Sequence, residues 1–200
     1  MPSAAILAGG RARRFGGRDK STLVVGGRTI RARQLAVLTA VTDDIMIVGG
    51  DAPAPPSDEG GPARLVADRV PASGPLGGLD AALAAARDDQ VVVLACDMPF
   101  VTSALIGHLL VLAAGSDIVV PRTERGYHPL CAVYSRACRD VVARRLMEGR
   151  LALSGVLDEM RVREVTVSEL DAFGNHERLM ANVNTPGDYE EIEALQRHHR

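Results

Sequence analysis

The run AILAGGRARRFGGRDK (residues 5–20) opens as a short apolar stretch and turns abruptly into two glycine pairs, four arginines and a lysine. An apolar run without polar alternation reads as a strand covered on both faces. In a doubly wound sheet the ligand sits at the carboxyl ends of the strands, where the glycine-rich segment would lie.

Four more runs of the same kind follow: IMIVGG (45–50), RLVAD (64–68), VVVLACD (91–97) and DIVVPR (117–122). Between them, residues 29–41, 76–86 and 103–114 carry apolar groups at helical spacing. Alternating strands and helices predict an α/β fold, a mostly parallel sheet with helices on both sides. The segment DIVVPRTERGYHPLCAVYS (117–135) reads as a strand, a polar turn at 124–126 and a second strand, so the C-terminal half adds an antiparallel strand. A helix over 136–148, a short one over 154–160, a strand over 162–167 and a helix after Pro186 complete the pattern. The stretch PAPPSDEGGP (53–62) reads as a surface loop.

Two hundred residues, 46% of them hydrophobic, predict one domain over 1–200 with a substantial core. The formal net charge of −2 makes the basic segment a local feature and argues against nucleic acid or a membrane surface as partner. No apolar run approaches the roughly 20 residues that cross a bilayer, and no leader pattern opens the chain. Cys96, Cys131 and Cys138 show no CxxC spacing and read as small buried side chains in a reduced, cytoplasmic setting.

The basic segment fits neither GxGxxG nor GxxxxGK[ST], although Ser21 follows Lys20. Its chemistry is more telling than its pattern. Gly9 and Gly10 let backbone N–H groups approach an anion, and Gly16 and Gly17 give the same freedom at the far end. Arg11, Arg13, Arg14, Arg18 and Lys20 offset several negative charges, which suits a polyphosphate; a solvated arginine-rich turn is the plainer alternative. Lys20 is the only lysine beside 22 arginines. An ammonium is a compact point charge that sits among several phosphate oxygens, where a guanidinium needs a matching fork of acceptors.

Asp97 closes an apolar strand two residues before Pro99, which puts a carboxylate at the strand's carboxyl edge. One carboxylate plus phosphate oxygens is a usual way to hold Mg2+, and Asp97 is the candidate ligand; an Asx turn is the alternative. Asp68 ends RLVAD in the same way, as a partner for a ribose, a base or the metal's surroundings, or else as a surface turn residue. Beyond it, Ser73 or Gly74 precedes a helix with Pro75 at its first position, whose free N–H groups would face the site.

In order along the chain, LAGGRARRFGGRDKSTL, GRTI, SGPLGG, ACDMPF, GYHPLCAVY and NVNTPGDY resemble the molybdenum cofactor guanylyltransferases. The resemblance implies a Rossmann-like three-layer sandwich. It also implies transfer of GMP from GTP to the terminal phosphate of molybdopterin, with release of pyrophosphate. By that resemblance Leu7, Ala8, Gly9 and Lys20 contact GTP, beside the Gly10 backbone already read as a phosphate contact, Asp68 binds the nucleotide and Asp97 holds Mg2+. Asn182 and Asn184 fall on the pterin side, with His128 and Arg150 as further contacts to the second substrate. Amides suit a heterocycle edge, because they both donate and accept; NTP is equally a helix start, with Thr185 as cap. Where the family carries an asparagine after its second strand, this chain has Val48, Gly49 and Gly50, so a base contact there falls to the backbone. Phe15 stands where methionine is usual.

The attacking phosphate oxygen is already ionised at neutral pH, so alignment and charge neutralisation outweigh general-base work. Lys20 and Arg14 would stabilise the departing pyrophosphate, with Asp97 at the metal. Cytidylyl transfer to the same cofactor, nucleotidyl transfer to another phosphorylated acceptor, and a non-catalytic nucleotide-binding module are the alternatives. The second glycine of LAGG, with SGPLGG, resembles the guanylyl branch. Proteins that deliver or receive the cofactor are expected partners.

Overall fold

The computed structural model of the chain describes residues 1–8, 20–49, 63–185, 187–190 and 192. All five residues of β1 (Ser3–Leu7) are buried, as an unbroken apolar run requires. After a 3-10 turn at Lys20–Thr22, β2 (Val24–Val25) and β3 (Arg28–Thr29) form a small hairpin. Gly26 and Gly27 close it at φ 56° and 82°, a pair of positive angles that glycine adopts without strain. Strands of two residues are too short to register as an apolar pattern, and the hairpin was not expected. Thr29 then caps α1 (Ile30–Thr39), its Oγ1 accepting from the Ala32 N–H at 3.0 Å.

β4 (Asp44–Val48) runs parallel beside β1, and β5 (Ala63–Val66) follows at the sheet's edge. The edge position corrects the expectation that RLVAD is covered on both faces: among the described residues no strand pairs with β5 on its outer side, and Leu65 is 50% exposed. α2 (Gly74–Ala85) leads back to β6 (Gln90–Ala95), which pairs parallel with the other side of β1. α3 (Ser103–Leu112) starts from a Thr102 cap.

β7 (Ile118–Thr123) turns into β8 (Gly126–Tyr127), and β9 (Cys131–Ser135) inserts between β6 and β7, antiparallel to both. This is the antiparallel member expected from the sequence. Tyr134 on β9 is fully buried, and its hydroxyl donates to the Pro129 carbonyl at 2.8 Å, which satisfies the one polar group it carries inside. α4 (Arg139–Met147) and α5 (Ser154–Leu157) precede β10 (Val162–Val165), which lies parallel to β7. The last strand ends two residues sooner than expected, because Thr166 and Glu169 form a reciprocal capping box that starts α6 (Val167–Asp171). α7 (His176–Leu179), capped by Asn175, was also not expected.

The strand order is β10-β7-β9-β6-β1-β4-β5, with β8 paired to β7. Successive residues of β1 serve opposite cores. Ala4 and Ile6 pack with Leu35 and Leu38 of α1 and Leu105 and Leu109 of α3; Ala5 and Leu7 pack with Leu79 and Leu83 of α2 and Val142 of α4. This is the expected three-layer sandwich. Each fully buried leucine contributes about 1.5–3 kcal/mol. Cys131 and Cys138 are buried and unbridged, and burial pushes the Cys131 thiol up to about 12, so it acts as an apolar side chain. Among the described residues, no helix is long and apolar enough to cross a membrane. Because β1, β4 and β6 run parallel while β9 runs antiparallel to β6, the C-terminal ends of β1, β4 and β6 share one edge with the start of β9.

Candidate active site

That edge carries a turn that starts where β6 ends. Ala95 is the last strand residue, and the Cys96 N–H donates to the Leu7 carbonyl at 3.3 Å, so the turn leaves directly beside β1. The Asp97 carbonyl accepts from the Val183 N–H at 2.9 Å, which lays the C-terminal segment across the turn.

Four residues singled out in the sequence meet here. Asn182 Nδ2 donates to Asp97 Oδ1 at 3.1 Å, Lys20 Nζ lies 3.6 Å from Asp97 Oδ2, and the same ammonium donates to Asn184 Oδ1 at 3.1 Å. The Lys20 and Asp97 side chains are only 20% and 14% exposed. Burial raises the Asp97 pKa above the ordinary aspartate value, and the neighbouring Lys20 charge only partly offsets it. The carboxylate therefore sits where more positive charge would be welcome.

The segment that holds the two asparagines is itself fixed. Asp188 accepts from the Asn184 and Thr185 N–H groups at 2.7 and 2.9 Å, while Thr185 Oγ1 accepts from the Asp188 N–H at 3.1 Å. Those backbone bonds lower the Asp188 pKa. Thr185 thus caps the helical residues 187–190, so the helix start and the placement of the asparagines coexist. Tyr189 adds a hydroxyl bond to the Val24 carbonyl at 2.6 Å.

The remaining candidates are placed less directly. The Leu7 side chain is buried against Gly78 of α2, leaving its backbone alone at the edge, and the Ala8 N–H donates to the Val48 carbonyl at 2.7 Å. A Cβ on Gly78 would come within 3.2 Å of Leu7, so this glycine of SGPLGG serves the close packing of helix on strand. Gly9, Gly10 and Arg14, with the rest of the basic loop over 9–19, lie outside the described residues, as does the loop over 53–62. Asp68 is half-buried beyond β5 on the same edge, with no hydrogen bond or ion pair among the described residues. The Gly49 N–H is taken by the Val66 carbonyl at 3.1 Å, which removes one backbone donor from the place of the family's asparagine. Ser73 makes no side-chain cap for α2, whose first turn contains Pro75.

His128 lies in the turn between β8 and β9, on the edge where β1 and β6 end. Its Nε2 is 2.9 Å from Thr123 Oγ1, and burial together with Arg125 lowers its pKa, which keeps it neutral at pH 7. Arg150 lies beyond α4, exposed and paired with Glu148 at 3.2 Å; no described contact joins it to the Lys20–Asp97 group.

Two contributors escaped the sequence reading. Asp188 is legible afterwards as the acidic fourth member of a Thr-x-x-Asp cap. Gln34 is buried on α1, and its Nε2 donates to the carbonyls of Ala95 at 2.6 Å and Met98 at 3.1 Å. The signal was a polar residue on the helix face that also carries Leu35 and Leu38.

Among the described residues, no group of three or more His, Cys, Asp or Glu gathers to hold a metal. A carboxylate short of positive charge, at the end of a strand, instead suits an ion shared with phosphate oxygens.

The MobA-like NTP transferase domain matches this chain over residues 4–167. The chain is similar to the molybdenum cofactor guanylyltransferase of Desulfosudis oleivorans, 37% identical over 94% of this chain and 93% of the other. It is 36% identical to a probable molybdenum cofactor guanylyltransferase of Pelotomaculum thermopropionicum, over 92% and 87% of the two chains. Among solved structures it resembles molybdopterin-guanine dinucleotide biosynthesis protein A of Archaeoglobus fulgidus. The TM-score is 0.78, at 25% identity over 98% and 99% of the two chains. The 2-C-methyl-D-erythritol 4-phosphate cytidylyltransferase of Thermus thermophilus shares the fold, with a TM-score of 0.73 at 20% identity over 98% and 100%.

Proposed function

Since this chain belongs to the MobA-like NTP transferase family, we propose that it transfers GMP from GTP to the terminal phosphate of molybdopterin, releasing pyrophosphate. The observation that carries the reading is the contact of Lys20 with both Asp97 and Asn184. It joins the end of the basic loop, the carboxylate after β6 and the segment read as the acceptor side. The relatives' names point to the same reaction.

Lys20 and Arg14 bind the β- and γ-phosphates of GTP and stabilise the charge that gathers on pyrophosphate as the bond to the α-phosphorus breaks. Gly9 and Gly10 direct backbone N–H groups at the same phosphates, and Asp68 orients the nucleoside from the far side of β4. Asp97 would hold Mg2+, which when bound neutralises phosphate charge. Asn182 fixes the Asp97 carboxylate, and both asparagines present amide edges to the pterin. The acceptor phosphate attacks in its ionised form, so no proton has to be removed by the protein. His128, neutral and held by Thr123, and Arg150 are the outer contacts to the acceptor.

Pyrophosphate release with purified molybdopterin and each of the four ribonucleoside triphosphates tests this. GTP is expected to exceed the others in kcat/KM by about 100-fold or more, with the guanine dinucleotide as product. Equal or better turnover with CTP overturns the guanylyl reading. Absence of pyrophosphate with any acceptor overturns the enzymatic one.

A further inference from the structure

The turn that carries Asp97 is short of its own hydrogen bonds. β6 stops at Ala95 and α3 begins only at Ser103, so the carbonyls of Ala95 and Met98 belong to neither ladder nor helix. Both are met by a single side-chain amide from a different element. Gln34 Nε2 donates to Ala95 O at 2.6 Å and to Met98 O at 3.1 Å, bracketing Asp97 from inside the core. Because both neighbours are carbonyls, only the NH2 end of the amide can face them. Gln34 is 2% exposed, and its Oε1 is buried without a hydrogen-bond partner among the described residues. Burying an amide costs more than burying an apolar side chain, and this one meets two carbonyls of the turn, so core packing alone does not account for it. Leucine or methionine would avoid that cost but would leave the Ala95 and Met98 carbonyls without this donor.

We infer that Gln34 is the positioning residue of the site: its amide clamps the 95–98 turn and so sets where the Asp97 carboxylate meets the nucleotide's phosphates and metal. The inference rests on the proposed reaction and extends it to a residue that touches the turn and not the Asp97 carboxylate. Asp97 is held from outside by Lys20 and by Asn182 and Val183 of the C-terminal segment, while from inside Gln34 bonds the carbonyls of Ala95 and Met98 on either side of it. Loss of the inner clamp lets the turn drift while the Lys20 side of the site stays in place.

The test compares the unaltered chain with Gln34→Met, which keeps length and burial but removes the donors. Gln34→Asn, which keeps the amide but is one methylene too short for both carbonyls, guards against a folding defect in the first variant. Three quantities are read: hydrogen–deuterium exchange of the 95–98 segment in the metal-free chain, Mn2+ binding with a non-hydrolysable GTP analogue followed by electron paramagnetic resonance, and kcat against KM. Both variants are expected to exchange faster in 95–98 with β1 unchanged. Mn2+ affinity and kcat should fall about 10–100-fold, the usual effect of removing a group that orients a metal ligand, with KM for GTP changing far less. A cooperatively folded Gln34→Met with unaltered exchange, Mn2+ affinity and kcat overturns the inference. The exchange comparison needs no turnover, so it decides Gln34's hold on the turn even where the unaltered chain forms no product; that last result counts against the proposed reaction and not against the clamp.

Discussion

Asp97→Asn is expected to lower GMP transfer by about a thousandfold, roughly 4 kcal/mol of transition-state stabilisation, without destabilising the fold at pH 7.5. The two halves of that expectation come from the same environment. The carboxylate is largely buried and its pKa is raised by that burial, so its ionised form is less comfortable in the folded chain than in water. The folded chain consequently holds the Asp97 proton more tightly than the unfolded chain does. Stability then falls as pH rises from the ordinary aspartate value to the raised one, and above that interval the charge is a net cost. The amide removes this cost while Lys20 keeps its bond to Asn184. Thermal unfolding at pH 7.5 should place the variant at or above the unaltered chain, and the difference should vanish at pH values below the interval. A variant that keeps its turnover, or that loses turnover only because it unfolds, would contradict the assignment.

Lys20→Ala is expected to cost about 10²–10³-fold in kcat/KM, the usual size of a lost charge-stabilising donor at a developing anion. Lys20→Arg should recover little of it. The ammonium reaches Asp97 and Asn184 at once within a mostly buried space, and a planar guanidinium cannot reproduce that convergence on single oxygens. Steady-state kinetics with saturating acceptor separate the cases. A fall confined to KM marks ground-state binding, whereas a fall in kcat marks charge stabilisation during bond cleavage. Full activity in Lys20→Arg would show that positive charge alone suffices.

The sheet was legible because its central strands are buried on both faces, and such strands leave short unbroken apolar runs that alternate with longer helical patterns. Where that condition fails, so does the signal. β5 is an edge strand that looks like a core strand in sequence, since Leu65 is apolar but faces outward. β2 and β3 have two residues each, and α6 and α7 are single turns or little more, specified by caps and glycines instead of by periodicity.

At the site, Lys20 and Asp97 announced themselves by rarity and by position at a strand end. Asn182 and Asn184 did so through the family pattern, and the structure brings these four together. That Asn182 binds the Asp97 carboxylate was not legible, because a contact across 85 positions of sequence separation leaves no local trace. Gln34 was passed over for a related reason. A glutamine in a helix rich in arginine looks like one more surface residue until its face is known.

Crystals of the chain grown with GTP and Mn2+ test the central claim most directly. The account predicts an anomalous Mn2+ peak on the Asp97 carboxylate, with Lys20 turned from Asp97 onto an oxygen of the same triphosphate. Mn2+ and triphosphate bound elsewhere, with Lys20 and Asp97 still paired to each other, would contradict it.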